Sequence, residues 1–333
     1  MCIRDSFNTV AEEELKAQIE EQIRAELRAN PKLQAVLATN ETAIKEWMAT
    51  KRALLYSQYG LDKPFIQRVL IRTFDVLTLR LGKSSVMTSL SGSRDVATII
   101  LEALPNTVLL FTTSQIVIII MGILLGVKAA QKAGGLMDRS LSIFAMVSTS
   151  FPMWWVGMLM ILIFAYQFKL FPSGGIVDLP PPENPLEYAL NVMYHLVLPA
   201  STVILVSFGS WAYVTRNIMI GVLQEDYIMV ARAKGVPERK VIYGHALRSA
   251  APPIVTMTIL SIIGSLGGAI ITESVFNWPG MGRLYWVAIQ QYDVPVLMGL
   301  TFMFTFLFLF AMVLADMMYG ILDPRVRVGG GRE

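Results

Sequence analysis

The chain has 333 residues, of which 54% are hydrophobic and only 16% charged, against about 25% charged in soluble domains. A net charge of +3 scattered along the sequence leaves no footprint for nucleic acid, and the one cysteine, Cys2, excludes an internal disulfide framework and any multi-cysteine metal site. This is the composition of an integral membrane protein with one polar region, so the lipid bilayer is its first partner.

Residues 1–106 carry charge densely. Leu15, Ile19, Ile23 and Leu27 recur at helical spacing among charges, which predicts a helix with a narrow apolar stripe, stopped by Asn30-Pro31. A second helix is expected to open at Thr39-Asn40, with Glu41 in its first turn, and to run towards Tyr59 before Gly60. The stripe covers too few heptads for a coiled coil, and the region reads as a small helical cap. Phe65–Leu81 is apolar but is broken by Arg68, Arg72, Asp75 and Arg80, so it does not span. Leu81-Gly82-Lys83-Ser84 imitates the end of a phosphate-binding loop, yet Leu77 stands where that loop needs a glycine.

Five stretches are each about 20 residues or longer, the length a helix needs to cross roughly 30 Å of hydrocarbon. They are Thr107–Val127, Leu141–Phe168, Leu196–Thr215, Ile254–Thr272 and Val294–Leu314. Within them, Gly122/Gly126 and Gly264/Gly268 are small-xxx-small pairs expected to seat neighbouring helices. Pro152 and Pro199 predict kinks or broken helices.

Cations fall on alternate connections. Lys128, Lys132 and Arg139 follow the first span; Arg216, Arg232, Lys234, Arg239, Lys240 and Arg248 follow the third; Arg325 and Arg327 follow the fifth. The connections Pro172–Tyr194 and Glu273–Asp293 have almost none. Basic connections face the cytoplasm, which places residues 1–106 outside. A polar region of that size crosses only behind a signal or an earlier span, so a first helix is expected upstream of this sequence. The expected organisation is an extracytoplasmic helical cap over 1–106, a transmembrane domain over 107–322 containing a cytoplasmic element at 216–250, and a cytoplasmic tail over 323–333.

Catalytic patterns are absent from the sequence. The two histidines, His195 and His245, belong to no H-E-x-x-H helix, and no serine has glycines at both flanking second positions. No catalytic residue, metal or cofactor is expected. Glu273 and Asp316 lie at the ends of the fourth and fifth spans. They raise the alternative of a proton-coupled secondary transporter, but at span ends structural pairing is the stronger expectation. A purely structural membrane scaffold is the third reading.

The stretch ARAKGVPERK, residues 231–240, packs four cations between spans. Glu225–Ala233 reads as a short helix whose last turn and end carry Arg232 and Lys234, suited to the negative pole of its dipole. Gly235 stands where a left-handed terminating residue is wanted, and Pro237 is expected at the first position of a second helix. Val241, Ala246 and Leu247 give that second helix an apolar side. The product is a rigid basic elbow. The positive-inside rule accounts for its cations but not for its Gly-x-Pro punctuation.

EDYIMVARAKGVPERKVIYGHALRSAAPPIV (225–255) resembles the cytoplasmic signature of binding-protein-dependent ABC importer permeases, specifically the dipeptide, oligopeptide and nickel group. YGLDKP (59–64), LRLGKSS (79–85), FPSGG (171–175), HLVLPA (195–200), ESVFNWPGMGRL (273–284) and DPRVR (323–327) agree with it. The signature's Glu-Ala-Ala is Met229-Val230-Ala231 here, as is similar in the peptide-type members. The resemblance implies an all-α polytopic bundle of the type I importer kind, normally with six spans and both ends cytoplasmic, in a prokaryotic plasma or inner membrane. It implies no ATP chemistry in this chain, two cytoplasmic ABC ATPase subunits, a second permease subunit as a heterodimeric partner, and an extracytoplasmic solute-binding protein. Peptides are the implied solute, with nickel chelates, glutathione and oligosaccharides carried on the same scaffold. The ATPase-coupling residues it implies are Glu225, Asp226, Tyr227, Ala231, Arg232, Ala233, Lys234, Gly235, Val236, Pro237, Arg239, Lys240, His245 and Leu247, with the four cations pairing carboxylates on the ATPase.

Overall fold

The computed structural model describes residues 13, 16, 17, 19–28, 41–59, 61, 62, 64–78 and 80–322. It divides into two units, Met1–Leu79 and Arg80–Glu333. The Asn30-Pro31 stop and the tail over 323–333 lie outside the described residues.

In the first unit, residues 19–28 are helical and meet α1 (Glu41–Tyr59). Two residues of the predicted stripe form the seam: Ile19 and Ile23 are buried with Leu55, flanked by Trp47, Met48, Tyr56 and Leu61, while Leu15 lies outside the described residues. Arg52 grips the Glu20 carboxylate with Nε and with Nη2, the latter at 2.9 Å, and Lys51 pairs with Glu26 at 2.8 Å. The amphipathic α2 (Phe65–Leu77) follows, with Ile66, Leu70, Phe74 and Leu77 exposed.

The second unit is a helix bundle. Asp95 caps α3 (Val96–Thr107) by accepting from the Thr98 N–H at 3.2 Å, and the helix passes through a π-helical stretch (Val108–Thr112) into α4 (Thr113–Gln131). This first span therefore begins at Val96, well before Thr107. Glu102, Pro105 and Asn106 interrupt the apolar run there without interrupting the helix.

The expected continuous span Leu141–Phe168 is instead two helices, α5 (Leu136–Ser150) and α6 (Met153–Met160), the latter extended by a π-helix (Ile161–Gln167), with a 94° bend between them. Pro152 is the cause. A residue preceding proline is driven out of the helical region, and Phe151 sits at φ −101°, ψ 134°. Pro199 has no such effect, for α7 (Pro185–Leu223) runs through it for 39 residues from its Asn184 cap.

After α7 come α8 (Asp226–Ala233), the short α9 (Glu238–Lys240), a π-helical turn (Val241–Ala246) and α10 (Leu247–Gly264). The expected span Ile254–Thr272 is cut: a 3-10 turn (Ser265–Gly267) leads to Gly268 at φ +66°, and the chain restarts as α11 (Ile270–Val275), α12 (Met281–Gln290) and α13 (Val294–Leu322). Among the described residues four helices are long and apolar enough to span, or five if the bent pair is one span.

Packing follows close backbone approach. A Cβ on Gly122 would stand 2.6 Å from the Trp211 Cβ, and one on Gly126 would stand 2.5 Å from the Ala212 carbonyl oxygen. This pair seats α4 on α7 as expected. Gly264/Gly268 does not form a second such seam: Gly264 has no neighbour within 4 Å, and Gly268 serves the break. α3, α12 and α13 share a core of Val96, Ile100, Met281, Ala288, Val296 and Leu300. Phe276 and Trp278 fill the space between α7 and the start of the first span, beside Leu110, Leu196 and Val203.

Gly126→Ala is expected to overpack the α4–α7 contact at a cost of about 1–3 kcal/mol and lower the thermal midpoint of the purified chain. Gly264→Ala should leave that midpoint unchanged or raise it. Equal midpoints for the two variants would contradict the close approach of α4 and α7.

Candidate functional site

The elbow between α7 and α10 is built from its backbone outward. Glu225 takes the cap position of α8 in extended geometry, and its carbonyl accepts from the N–H groups of Ile228 and Met229 at 3.0 and 3.3 Å. Asp226 in the first turn complements the helix dipole. At the other end the Val236 N–H donates to the Ala231 carbonyl at 3.2 Å and the Gly235 N–H to the Arg232 carbonyl at 3.0 Å. This pairing is a Schellman termination, with Gly235 at φ +73° as its left-handed residue. No atom stands within 4 Å of where a Gly235 Cβ would be, so the glycine is required by conformation and not by crowding. Pro237, expected as the first helical residue, lies one position earlier as the cap of α9, where its carbonyl accepts from Lys240 and Val241 at 2.8 and 3.0 Å.

One side of the elbow is sealed to the bundle. Ile228, Val241, Ile242 and Ala246 are buried together with Val127 and Ala130 of α4, Met219 of α7, and Ala250 and Ile254 of α10. Ala231, Val236 and Leu247 pack around this cluster, and Gln131 Nε2 donates to the Tyr243 hydroxyl at 3.3 Å. Full burial of a side chain such as Ile228 contributes about 1.5–3 kcal/mol. The other side is open: Tyr227, Met229 and Val230 are 47%, 53% and 51% exposed, an apolar face on the far side of α8 from Ile228. Glu225, Asp226, Ala233, Lys234, Arg239, Lys240 and His245 are exposed as well. Arg232 closes instead on Glu238, with Nη2–Oε1 at 2.8 Å and Nε–Oε2 at 3.2 Å.

A profile of the family described as "Binding-protein-dependent transport system inner membrane component" matches residues 118–328, more than half of the chain, including the whole elbow. The chain belongs to this family. The permease is 31% identical to the oligopeptide transport system permease protein AppB of Bacillus subtilis (strain 168), over 83% of this chain and 84% of that one. It is 32% identical to the dipeptide transport system permease protein DppB of Escherichia coli (strain K12), over 83% and 85% of the two chains, and 34% identical to a putative peptide transport system permease protein of Brucella abortus (strain 2308), over 88% of each. Its fold is similar to a chain of the MetNI methionine ABC transporter in an inward-facing conformation, with TM-score 0.51, 15% identity, and coverage of 69% of this chain and 99% of that one. The permease is thus a multi-pass membrane subunit of an ABC importer, a system in which ATPase subunits and a solute-binding protein are separate chains.

Beside the elbow the permease has an ionic joint that its sequence did not advertise. Arg216 of α7 holds Asp138 of α5 by two bonds of 2.7 Å, Nε to Oδ1 and Nη2 to Oδ2, and the Gly134 N–H adds a third at 2.7 Å. Asp138 is buried, so the pair ties two spans at the elbow end. Read as a string, Arg216 and Asp138 are two more charges in basic connections. Only the crossing of α5 and α7 makes them partners.

At the other end of the bundle Glu273 is fully buried, whereas Asp316, near the C-terminal end of α13, is exposed. Glu273 does not sit near water, as its place at a span end suggested, but pairing is still its role. Thr107 Oγ1 donates to Oε1 at 3.2 Å and the Arg283 N–H to Oε2 at 2.9 Å, while Thr107 itself accepts from the Met281 N–H at 2.7 Å. A Cβ on Gly268 would collide with Oε1, and one on Gly280 would come within 2.5 Å of Oε2. Asn106 completes the knot, donating to the Pro279 carbonyl at 2.9 Å and accepting from Trp278 Nε1 at 2.8 Å. The Leu81–Ser84 imitation of a phosphate loop has a structural explanation. Ser84 Oγ and the N–H groups of Ser85, Val86 and Met87 all donate to the buried Asp293 carboxylate, at 2.5, 3.2, 3.0 and 3.1 Å. His195 is buried on α7, donating from Nδ1 to the Asn191 carbonyl at 3.0 Å.

Burial pushes the Glu273 carboxyl up to about 7, against the opposing bonds from Arg283 and Thr107. A carboxyl raised in the folded state stabilises fully below its unfolded value, and that contribution is lost as pH rises through about 7. The thermal midpoint of the purified permease is therefore expected to fall by several degrees between about pH 5 and about pH 8, and Glu273→Gln should abolish most of that fall. An unchanged slope in the glutamine variant would show that other groups set it.

Proposed function

We propose that the permease carries peptides inward across the membrane, driven by ATP hydrolysed on separate ATPase subunits that grip the elbow. The observation that carries this reading is the elbow's two-sidedness: one face is sealed onto α4, α7 and α10, and the other offers Tyr227, Met229 and Val230. A lever must be stiff along its length and sticky at its tip. The Schellman turn and the buried cluster supply stiffness, and an exposed aromatic with aliphatic neighbours suits an apolar groove in a partner. Lys234, Arg239 and Lys240 are exposed on the same elbow and suit a carboxylate rim. The peptide assignment is supported by the names of the three relatives given above, an oligopeptide, a dipeptide and a putative peptide transport permease. A second, similar permease would complete the pore as a heterodimer. The elbow would face the cytoplasm, and residues 1–106 and the 273–284 segment the outside, where a binding protein delivers solute.

Gly235→Val tests the lever. A β-branched residue in the left-handed region costs roughly 1–2 kcal/mol and distorts the turn locally. Membrane insertion should survive, while peptide uptake by the assembled transporter falls at least about 10-fold (at least 1.4 kcal/mol) relative to its ATP hydrolysis. Normal coupling of uptake to hydrolysis in this variant would count against the docking role.

Topology is tested with single cysteines in a Cys2→Ser background. A cysteine replacing Ala53 should react with an impermeant thiol reagent in intact cells, and one replacing Lys234 only after permeabilisation. The opposite pattern would overturn the orientation.

A further inference from the structure

Among the elbow's four cations, Arg232 differs in having an acidic partner six residues along the same element. Arg232 lies in the last turn of α8 and Glu238 is the first residue of α9, so their two bonds bridge the chain reversal made by Lys234, Gly235, Val236 and Pro237. A two-point contact between a planar guanidinium and a carboxylate fixes orientation as well as distance, which a lysine cannot do. The Schellman bonds end α8 and the Pro237 carbonyl starts α9, but both act locally on the backbone of one arm. Arg232 stands one helical turn after the buried Ile228 and Glu238 one turn before the buried Val241, so the side-chain pair continues, with exposed polar groups, the contact that the buried cluster makes between the two arms.

We infer that Arg232 and Glu238 form a brace that sets the angle between the two arms of the elbow, and that Arg232 is a positioning residue and not one of the cations that meet the ATPase. This rests on the lever reading given above for its consequence in transport, though not for its geometry. An exposed ion pair contributes only about 0–1 kcal/mol to stability, so the brace acts on angle and on the sharpness of the elbow's geometry while leaving the fold intact. It also explains the charge order. Arg232 neutralises Glu238, and the cations left for a partner are Lys234, at the start of the reversal, and Arg239 and Lys240, beyond it.

The test uses the full chain, with nitroxide labels on cysteines replacing Met229 and Arg239, one on each arm, in a Cys2→Ser background. Pulsed electron spin resonance on the purified permease should give a narrow distance distribution for the wild-type pair. Broadening is expected in Arg232→Glu and in Glu238→Arg, with recovery in the double swap Arg232→Glu/Glu238→Arg and an intermediate width in Arg232→Lys. Unchanged distributions in both single variants would overturn the brace. In the assembled transporter, each single variant should lower peptide uptake per ATP hydrolysed several-fold, and the double swap should restore it. A double swap that regains the narrow distribution but stays uncoupled, or loses the ATPase subunits on purification, would make Arg232 a docking cation and overturn the assignment. If no variant alters coupling while the distances change as expected, the brace stands and the lever reading falls.

Discussion

Ile228, Val241, Ile242 and Ala246 close against Val127, Ala130 and Met219, and through that contact the elbow and three spans become one mechanical body. The strength of this contact comes from where it lies. Between helices in lipid the hydrophobic effect is nearly absent, because acyl chains are as apolar as leucine, and association there relies on close fit and buried polar bonds. At the aqueous end of the spans, water returns and apolar burial regains its usual force. The elbow therefore sits where a small cluster of side chains binds most firmly per unit of area, and its apolar residues stabilise the bundle as much as they stabilise the elbow itself.

The rest of the bundle divides along the same physical line. In the middle, α4 meets α7 through Gly122 and Gly126, and α5 meets α7 where a Cβ on Gly209 would stand 2.8 Å from Phe144 Cδ1; these are contacts of shape. At the two ends the contacts are polar and saturated: Asp138 with Arg216 and Gly134 near the elbow, Glu273 and Asp293 with their N–H and hydroxyl donors at the other. Slippery in the middle and pinned at the ends is a sensible construction for a bundle that must change its packing without unfolding. The chain's two sharp interruptions, the 94° bend at Pro152 and the left-handed Gly268, fall on elements tied to these pins, α5 through Asp138 and α11 through Glu273. Discontinuous helices of this kind let one part of a membrane protein turn against another as rigid pieces.

The elbow was the most legible part of the sequence because its signals are local. Gly235, Pro237 and the helix between Glu225 and Ala233 are specified by neighbours within a few residues, and the structure differs in moving Glu225 and Pro237 each from first helical residue to cap. The spans were legible in approximate place but not in continuity. A run of apolar residues such as Leu141–Phe168 reports affinity for lipid, and says nothing about the one peptide unit at Phe151 that proline forces out of the helix. Gly264/Gly268 carried the same pattern as Gly122/Gly126, yet the latter pair faces Trp211 and Ala212, while Gly264 has open space beside it and Gly268 meets Glu273 and Thr107 at the helix break. Partners distant in sequence were the least legible: Ser84 with Asp293, Thr107 with Glu273, and Asp138 with Arg216 are charges or hydroxyls of no special pattern until the helices bring them together.

The cations that first set the elbow apart then have three separable causes. Orientation in the membrane requires basic residues on this side and is indifferent to their order. The helix dipole favours Arg232 and Lys234 where they stand, at the end of α8. Neither requirement explains Glu238, an acid placed among bases directly after a proline. Its carboxylate would weaken the positive-inside signal if it acted on the surroundings, but held by Nε and Nη2 of Arg232 it acts on the turn. The elbow is thus basic in total and internally balanced at its bend, which leaves its apolar tip at Tyr227 and Val230 as the anchor and its outer lysines and arginine as the rim. That division follows the energetics of association in water, where desolvated apolar contacts supply most of the affinity and peripheral charges supply rate and register.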